Sequence, residues 1–148
     1  MKQFLKYFLI ILVVLNFIGI SDLSAQTKMS RKPVLWTLEN IKWKPMNGPP
    51  GVMSADLWGD ETKGAYGGLT KFPAGFKAPL HYHTSDVKIV VIQGAYTYNG
   101  KEYGPGSYVF IPAGLKHESG GVENSESIFF IEQPGKFDVK PVNVQKKK

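Results

Sequence analysis

The chain has 148 residues, a formal net charge of +6, 43% hydrophobic residues and nineteen aromatic side chains, which is enough apolar matter for a packed core and too much for a disordered chain. It contains no cysteine, so disulfides, iron–sulfur clusters and thiol nucleophiles are excluded, and any metal must be held by nitrogen or oxygen.

The N-terminus reads as a secretory signal peptide over residues 1–25. Lys2 and Lys6 precede an apolar run from Tyr7 to Ile20, followed by the small, polar stretch Ser21, Asp22, Ser24 and Ala25, which is the layout of an exported precursor. The run is shorter than the roughly twenty residues that span a bilayer, and it contains Asn16. Cleavage after Ala25 is therefore expected, leaving a periplasmic or secreted domain with no membrane attachment. Residues 26–33 form a basic leader with Lys28, Arg31 and Lys32, and residues 146–148 form a lysine tail. Between Pro33 and Gln145 ten bases stand against eleven acids. The lysines are scattered rather than striped, so no nucleic-acid partner is expected.

The body, residues 34–145, reads as all-β. No window keeps apolar residues at helical spacing for three turns, whereas β-branched and aromatic runs recur between Gly, Pro and Asn clusters. Strands are expected over 34–38, 52–58, 65–72, 79–83, 87–92, 95–98, 107–111, 127–132 and 137–142. The breaker cluster from Met46 to Gly51 makes the preceding segment an edge strand or arm, whose Trp36 and Trp43 could cover a sheet edge or reach a partner subunit. Asn99-Gly100, between two Tyr-rich runs, is the dipeptide of a type I′ hairpin, in which both central residues need positive φ.

The candidate chemistry rests on the only three histidines, His81, His83 and His117. His81 and His83 are two apart in an expected strand, so both imidazoles leave the same face. His117 follows Pro112-Ala113-Gly114 downstream of the hairpin, which folds the later strands back over the earlier ones. Three neutral imidazoles from two strands make a set with open coordination positions, suited to Fe, Mn, Ni, Cu or Zn.

Gly75, His81-Tyr82-His83 and Gly94, followed by Gly106, Pro112-Ala113-Gly114 and His117, resemble the two motifs of the cupin superfamily in order and spacing. Leu57-Trp58-Gly59-Asp60, Phe72-Pro73-Ala74-Gly75-Phe76 and Gly135-Lys136-Phe137-Asp138-Val139 are similar to a small single-domain cupin family of uncharacterised function, related to ChrR-type cupins. The resemblance implies a single double-stranded β-helix, or jelly-roll, barrel with the metal inside it, often as a homodimer. The first motif usually supplies a glutamate where this chain has Val87, and the second usually has an asparagine where it has Gly121. Asp86 could replace the glutamate only if the 84–85 stretch bulges. Without a carboxylate, three neutral histidines and a divalent ion carry a formal +2, which favours an anionic or enolate-like chelating ligand. Strand parity places Val87, Ile89, Val91 and Gln93 on the histidine face and Asp86 and Lys88 on the other, so the lumen near the ion is expected to be apolar. No catalytic acid or base is identifiable. Three readings follow: an exported three-histidine metalloenzyme, dioxygenase-like or Lewis-acid, acting on a small chelating substrate; a non-catalytic ligand- or metal-binding cupin; and a structural barrel whose histidines hold nothing.

Overall fold

The computed structural model describes residues 32–46 and 48–143. The signal peptide, most of the basic leader and the lysine tail lie outside the described residues. The chain divides into two compact units, Met1–Leu35 and Trp36–Lys148. Within the first, the described residues Val34 and Leu35 are solvent-exposed.

Among the described residues the second unit holds eleven strands: β1 (Lys44–Pro45), β2 (Met53–Gly59), β3 (Tyr66–Phe72), β4 (Lys77–Tyr82), β5 (Val87–Gln93), β6 (Tyr96–Tyr98), β7 (Lys101–Tyr103), β8 (Tyr108–Ile111), β9 (His117–Gly120), β10 (Ser127–Gln133) and β11 (Lys140–Pro141). They form a six-stranded sheet, β1-β2-β3-β10-β5-β8, and a five-stranded sheet, β11-β4-β9-β6-β7. Every strand pair is antiparallel.

Alternation decides which residues face inward. In β5, Val87, Ile89 and Val91 are buried while Lys88, Val90 and Ile92 are exposed. The inward residues join Phe72, Phe129, Ile131 and, from the opposite sheet, Tyr96 in one apolar core, where each fully buried Val, Ile or Phe side chain contributes roughly 1.5–3 kcal/mol. The Tyr96 and Phe129 rings meet edge to face across the two sheets at 5.4 Å. Gly67 keeps β3 bare at one point, because a Cβ there would stand 2.1 Å from the Trp58 indole nitrogen. The hairpin forms as the dipeptide requires, with Asn99 at φ 48° and Gly100 at φ 79°.

Three expectations are corrected. Residues 34–38 form no strand; the run is apolar without alternation, and it ends in a turn in which Asn40 N–H donates to the Thr37 carbonyl at 3.0 Å. The edge of β2 is covered, as expected of the segment before the breaker cluster, by β1 directly after Trp43, through Lys44 and Pro45, and Lys71 Nζ stands 5.0 Å over the Trp43 ring. Residues 137–142 contribute only Lys140–Pro141 as strand; Phe137 N–H is taken by the Glu61 carbonyl of a loop, and Phe137 and Val139 line the cavity instead of a ladder. Gln93 is exposed rather than inward: pairing moves from Phe129↔Val91 to Ile128↔Gln93, and the extra residue, Ile92, reverses the parity at that point. β9, which carries His117, was not among the expected strands; its sequence, His-Glu-Ser-Gly, has no β-branched residue to announce it.

Candidate metal centre

His81 lies in β4, His83 immediately follows it, and His117 opens β9. His81 and His117 are direct cross-strand partners, and the ladder between them slips by one residue between Ala78 and His81. Pro79 sits in that irregular stretch, where a missing N–H costs no ladder bond. The second-motif turn then docks on the end of the first motif. Gly114 N–H donates to the His83 carbonyl at 2.8 Å, and Ala113 N–H donates to Asp86 Oδ1 at 2.8 Å. Asp86 is thus a scaffold residue that ties the two motifs together, and the grouped donor atoms come from the three histidines alone.

All three imidazoles are buried, and their ligand atoms lie within 4.8 Å of one another. Each ring nitrogen Nδ1 faces a backbone carbonyl: Pro79 at 2.7 Å for His81, Asp138 at 2.5 Å for His83 and Leu115 at 3.0 Å for His117. A carbonyl only accepts, so each Nδ1 carries the proton and each Nε2 keeps its lone pair, the tautomer that a metal requires. His117 is fully buried and its Nε2 has no hydrogen-bond partner. A buried nitrogen lone pair left alone costs free energy, and a cation is the partner that would satisfy it. The residues therefore fit a divalent ion held by three nitrogens.

Burial favours the neutral form of two of the rings, His83 and His117. Desolvation, helped by the neighbouring imidazoles and opposed by the Asp138 carbonyl, lowers the His83 pKa to about 4. Desolvation likewise lowers that of His117. The Tyr98 ring stacks on His117 at 5.4 Å and 21°.

A cavity of about 670 Å³ reaches His81 and His83. Val87, Ile89, Phe72, Phe129, Ile131 and Phe137 dominate its wall, which meets the expectation of an apolar lumen and leaves Val87 where the motif glutamate would stand. No carboxylate lines it among the described residues. Its non-histidine titratable residues are Lys77, which pairs outward with Glu123 at 2.6 Å, and Tyr96. Burial pushes the Tyr96 phenol well above its ordinary pKa, against a hydrogen bond with Ser119. Nothing in the sequence singles out Tyr96, Ser119 or the Asp138 carbonyl, and Tyr98 is marked only by its place beside the Asn-Gly turn.

The profile of a family described as a domain of unknown function, DUF4437, matches residues 35–147. The chain belongs to that family. Solved structures show that the fold of this chain is a cupin fold. The polyketide cyclase RemF from Streptomyces resistomycificus matches at a TM-score of 0.63 and 17% identity, over 78% of this chain and 89% of that one. An RmlC-like cupin from Ralstonia eutropha matches at 0.58 and 23%, over 74% and 79%. The anti-sigma factor ChrR, in complex with SigE from Rhodobacter sphaeroides, matches at 0.53 and 25%, over 66% of this chain and 50% of that one. No curated protein matches. The double-stranded β-helix barrel and the likeness to ChrR-type cupins are as the motifs implied.

Proposed function

We propose that this DUF4437 chain is an exported three-histidine mononuclear metalloenzyme that takes a small, chelating, ionisable organic substrate into the barrel. The observation that carries the reading is the common arrangement of the three rings: each Nδ1–H is bound to a carbonyl, so three lone pairs converge beside an apolar cavity. A divalent ion held by His81, His83 and His117 would supply Lewis-acid polarisation of a chelated oxygen or, if redox-active, a site for dioxygen chemistry.

The chain's own residues do the rest. Val87, Ile89, Phe72 and Phe129 exclude water and press on the body of a compact ligand. Tyr96, held protonated, offers a hydroxyl in contact with Ser119 inside the wall. The formal +2 of ion and neutral rings draws an enolate or carboxylate end toward the histidines. The fold also carries polyketide cyclisation in RemF and a lyase activity in DddQ from Ruegeria pomeroyi, so it is compatible with more than one reaction on small molecules.

Export rests on the N-terminal pattern of charge, apolar run and small residues, and a homodimer rests on the cupin resemblance. A second reading, a non-catalytic small-ligand or metal-binding cupin, is favoured by one observation: no carboxylate lines the cavity among the described residues to act as a base. Metal analysis of the purified chain after loading with Fe²⁺, Mn²⁺, Ni²⁺, Cu²⁺ or Zn²⁺, beside His81→Ala and His117→Ala, tests the centre, with about one ion per chain expected only in the parent. Oxygen uptake and product formation with β-diketones and catechols then separate the two readings. Saturable binding without turnover under every metal leaves the binder.

A further inference from the structure

Two of the three imidazoles take their carbonyl from two residues away in the chain, His81 from Pro79 and His117 from Leu115. His83 differs, since its acceptor, the Asp138 carbonyl, is 55 residues distant. Asp138 lies between β10 and β11, outside the strand ladders, so another contact must fix its carbonyl. That contact is with Thr84, the neighbour of His83: the Asp138 carboxylate accepts from Thr84 N–H at 3.0 Å and from Thr84 Oγ1 at 2.8 Å, with Lys140 Nζ 3.8 Å away. Phe137 and Val139 flank Asp138, and both belong to the cavity wall. The Phe137 ring centre lies 6.4 Å from that of His83. Phe137 N–H to the Glu61 carbonyl at 2.8 Å and Val142 N–H to the Leu80 carbonyl at 3.0 Å pin the two ends of the segment.

We propose that Asp138 is the positioning residue for His83, and that through Phe137 and Val139 it makes the metal affinity of the centre depend on what fills the cavity. The proposal rests on the three-histidine reading above. The Thr84 clamp holds the Asp138 carbonyl against Nδ1 and so keeps His83 in the tautomer whose Nε2 can bind an ion. A ligand in the cavity presses on the residues on either side of that carbonyl. Filling the cavity therefore tightens the hold on His83, and an ion at the histidines tightens the hold on the ligand by the same factor.

The test uses the full chain and Co²⁺, whose visible absorption reports binding, together with ¹⁵N NMR of the histidine rings in metal-free protein. Asp138→Ala keeps the carbonyl but removes the Thr84 clamp that fixes it, so it is expected to weaken Co²⁺ about tenfold, the low end for disturbing a ligand's outer partner, and to give His83 alone a mixture of tautomers. Asp138→Asn, which keeps an acceptor for Thr84, recovers most of the affinity, and Thr84→Val falls between. Naphthalene, which has no donor atom, raises the Co²⁺ affinity of the parent about fivefold and leaves that of Asp138→Ala unchanged. If Asp138→Ala does not fold, Thr84→Val and Asp138→Asn carry the same comparison. Parent-like affinity and tautomer in the Asp138 and Thr84 variants, with Co²⁺ lost in His81→Ala, overturn the proposal and leave the metal reading standing. The same Co²⁺ affinity with and without naphthalene overturns the coupling. Parent-like Co²⁺ binding in His81→Ala and His117→Ala overturns both.

Discussion

Two polar clusters of the barrel, one partly and one wholly buried, are finished to different degrees. Near β2, Glu61 is buried, takes a hydrogen bond from Ser54 Oγ at 2.9 Å and lies 3.3 Å from Lys44 Nζ, which also reaches Asp56 at 2.6 Å. Acid and base are present together, and one carboxylate oxygen of Asp56 is left without a partner. Among the described residues, the histidine cluster groups no carboxylate with its donor atoms. Each ring is satisfied on its Nδ1 side, and the Nε2 of His117 has nothing. A buried polar group is normally paired within the fold. Where three rings are paired on the Nδ1 side only, a cation from outside would fit as the missing partner. The first cluster stabilises the fold as it stands, and the second reserves a place.

The sharpest way to break this contrast is to remove a ring. His117→Ala should lower metal affinity more than about 100-fold, beyond the loss of an outer partner, while costing the metal-free protein less than an ordinary buried truncation, because an unpaired nitrogen leaves with it. Titration with a chromophoric chelator competitor and urea unfolding measure the two halves. Next comes pH. The His83 pKa of about 4 in the folded protein lies below the unfolded value near 6.5, so as pH falls through this window the unfolded chain takes up the proton first, and stability falls until about pH 4. The full drop for metal-free protein is on the order of 3 kcal/mol, read by urea unfolding at stepped pH. The Lys44 cluster should fail at the other end. Its hydrogen bond to Asp56 raises the lysine above its ordinary 10.5, against some desolvation, so its contribution is complete below that value and fades as pH rises past it.

Glu61→Ala should cost about 1–3 kcal/mol by stranding Ser54 and weakening the hold on Lys44, with metal stoichiometry unchanged. The smallest effect is expected from Asp86→Ala: about 1 kcal/mol of stability, for one hydrogen bond to the second-motif turn, and still one ion per chain. Loss of the ion in Asp86→Ala would show a carboxylate in the centre after all.

The inward strands were legible because Val87, Ile89 and Val91 alternate with polar or exposed neighbours and because the Asn-Gly pair admits few backbone conformations. The three histidines were legible because their spacing survives without structure. Asp138 was not, since it serves His83 through a main-chain carbonyl that every residue possesses, and nothing in a side chain marks it. Gln93 was misplaced because a single bulged residue, Ile92, overrides parity, and residues 34–38 because apolar composition without a partner strand does not make one. Lys44 and Glu61 meet only through tertiary approach of β1 and the loop after β2, which periodicity does not encode.

The pairing of His81 with His117 across β4 and β9 also has a kinetic meaning. In the unfolded chain only His81 and His83 are close, a two-nitrogen chelate with no third arm. The third is brought in only where β9 pairs with β4, which requires closing the chain between the two motifs. An ion bound by all three would therefore grip the completed barrel far more than any species before it. Its expected signature is slower unfolding with little change in the rate of folding, so that the metal acts as a latch closed last and opened first.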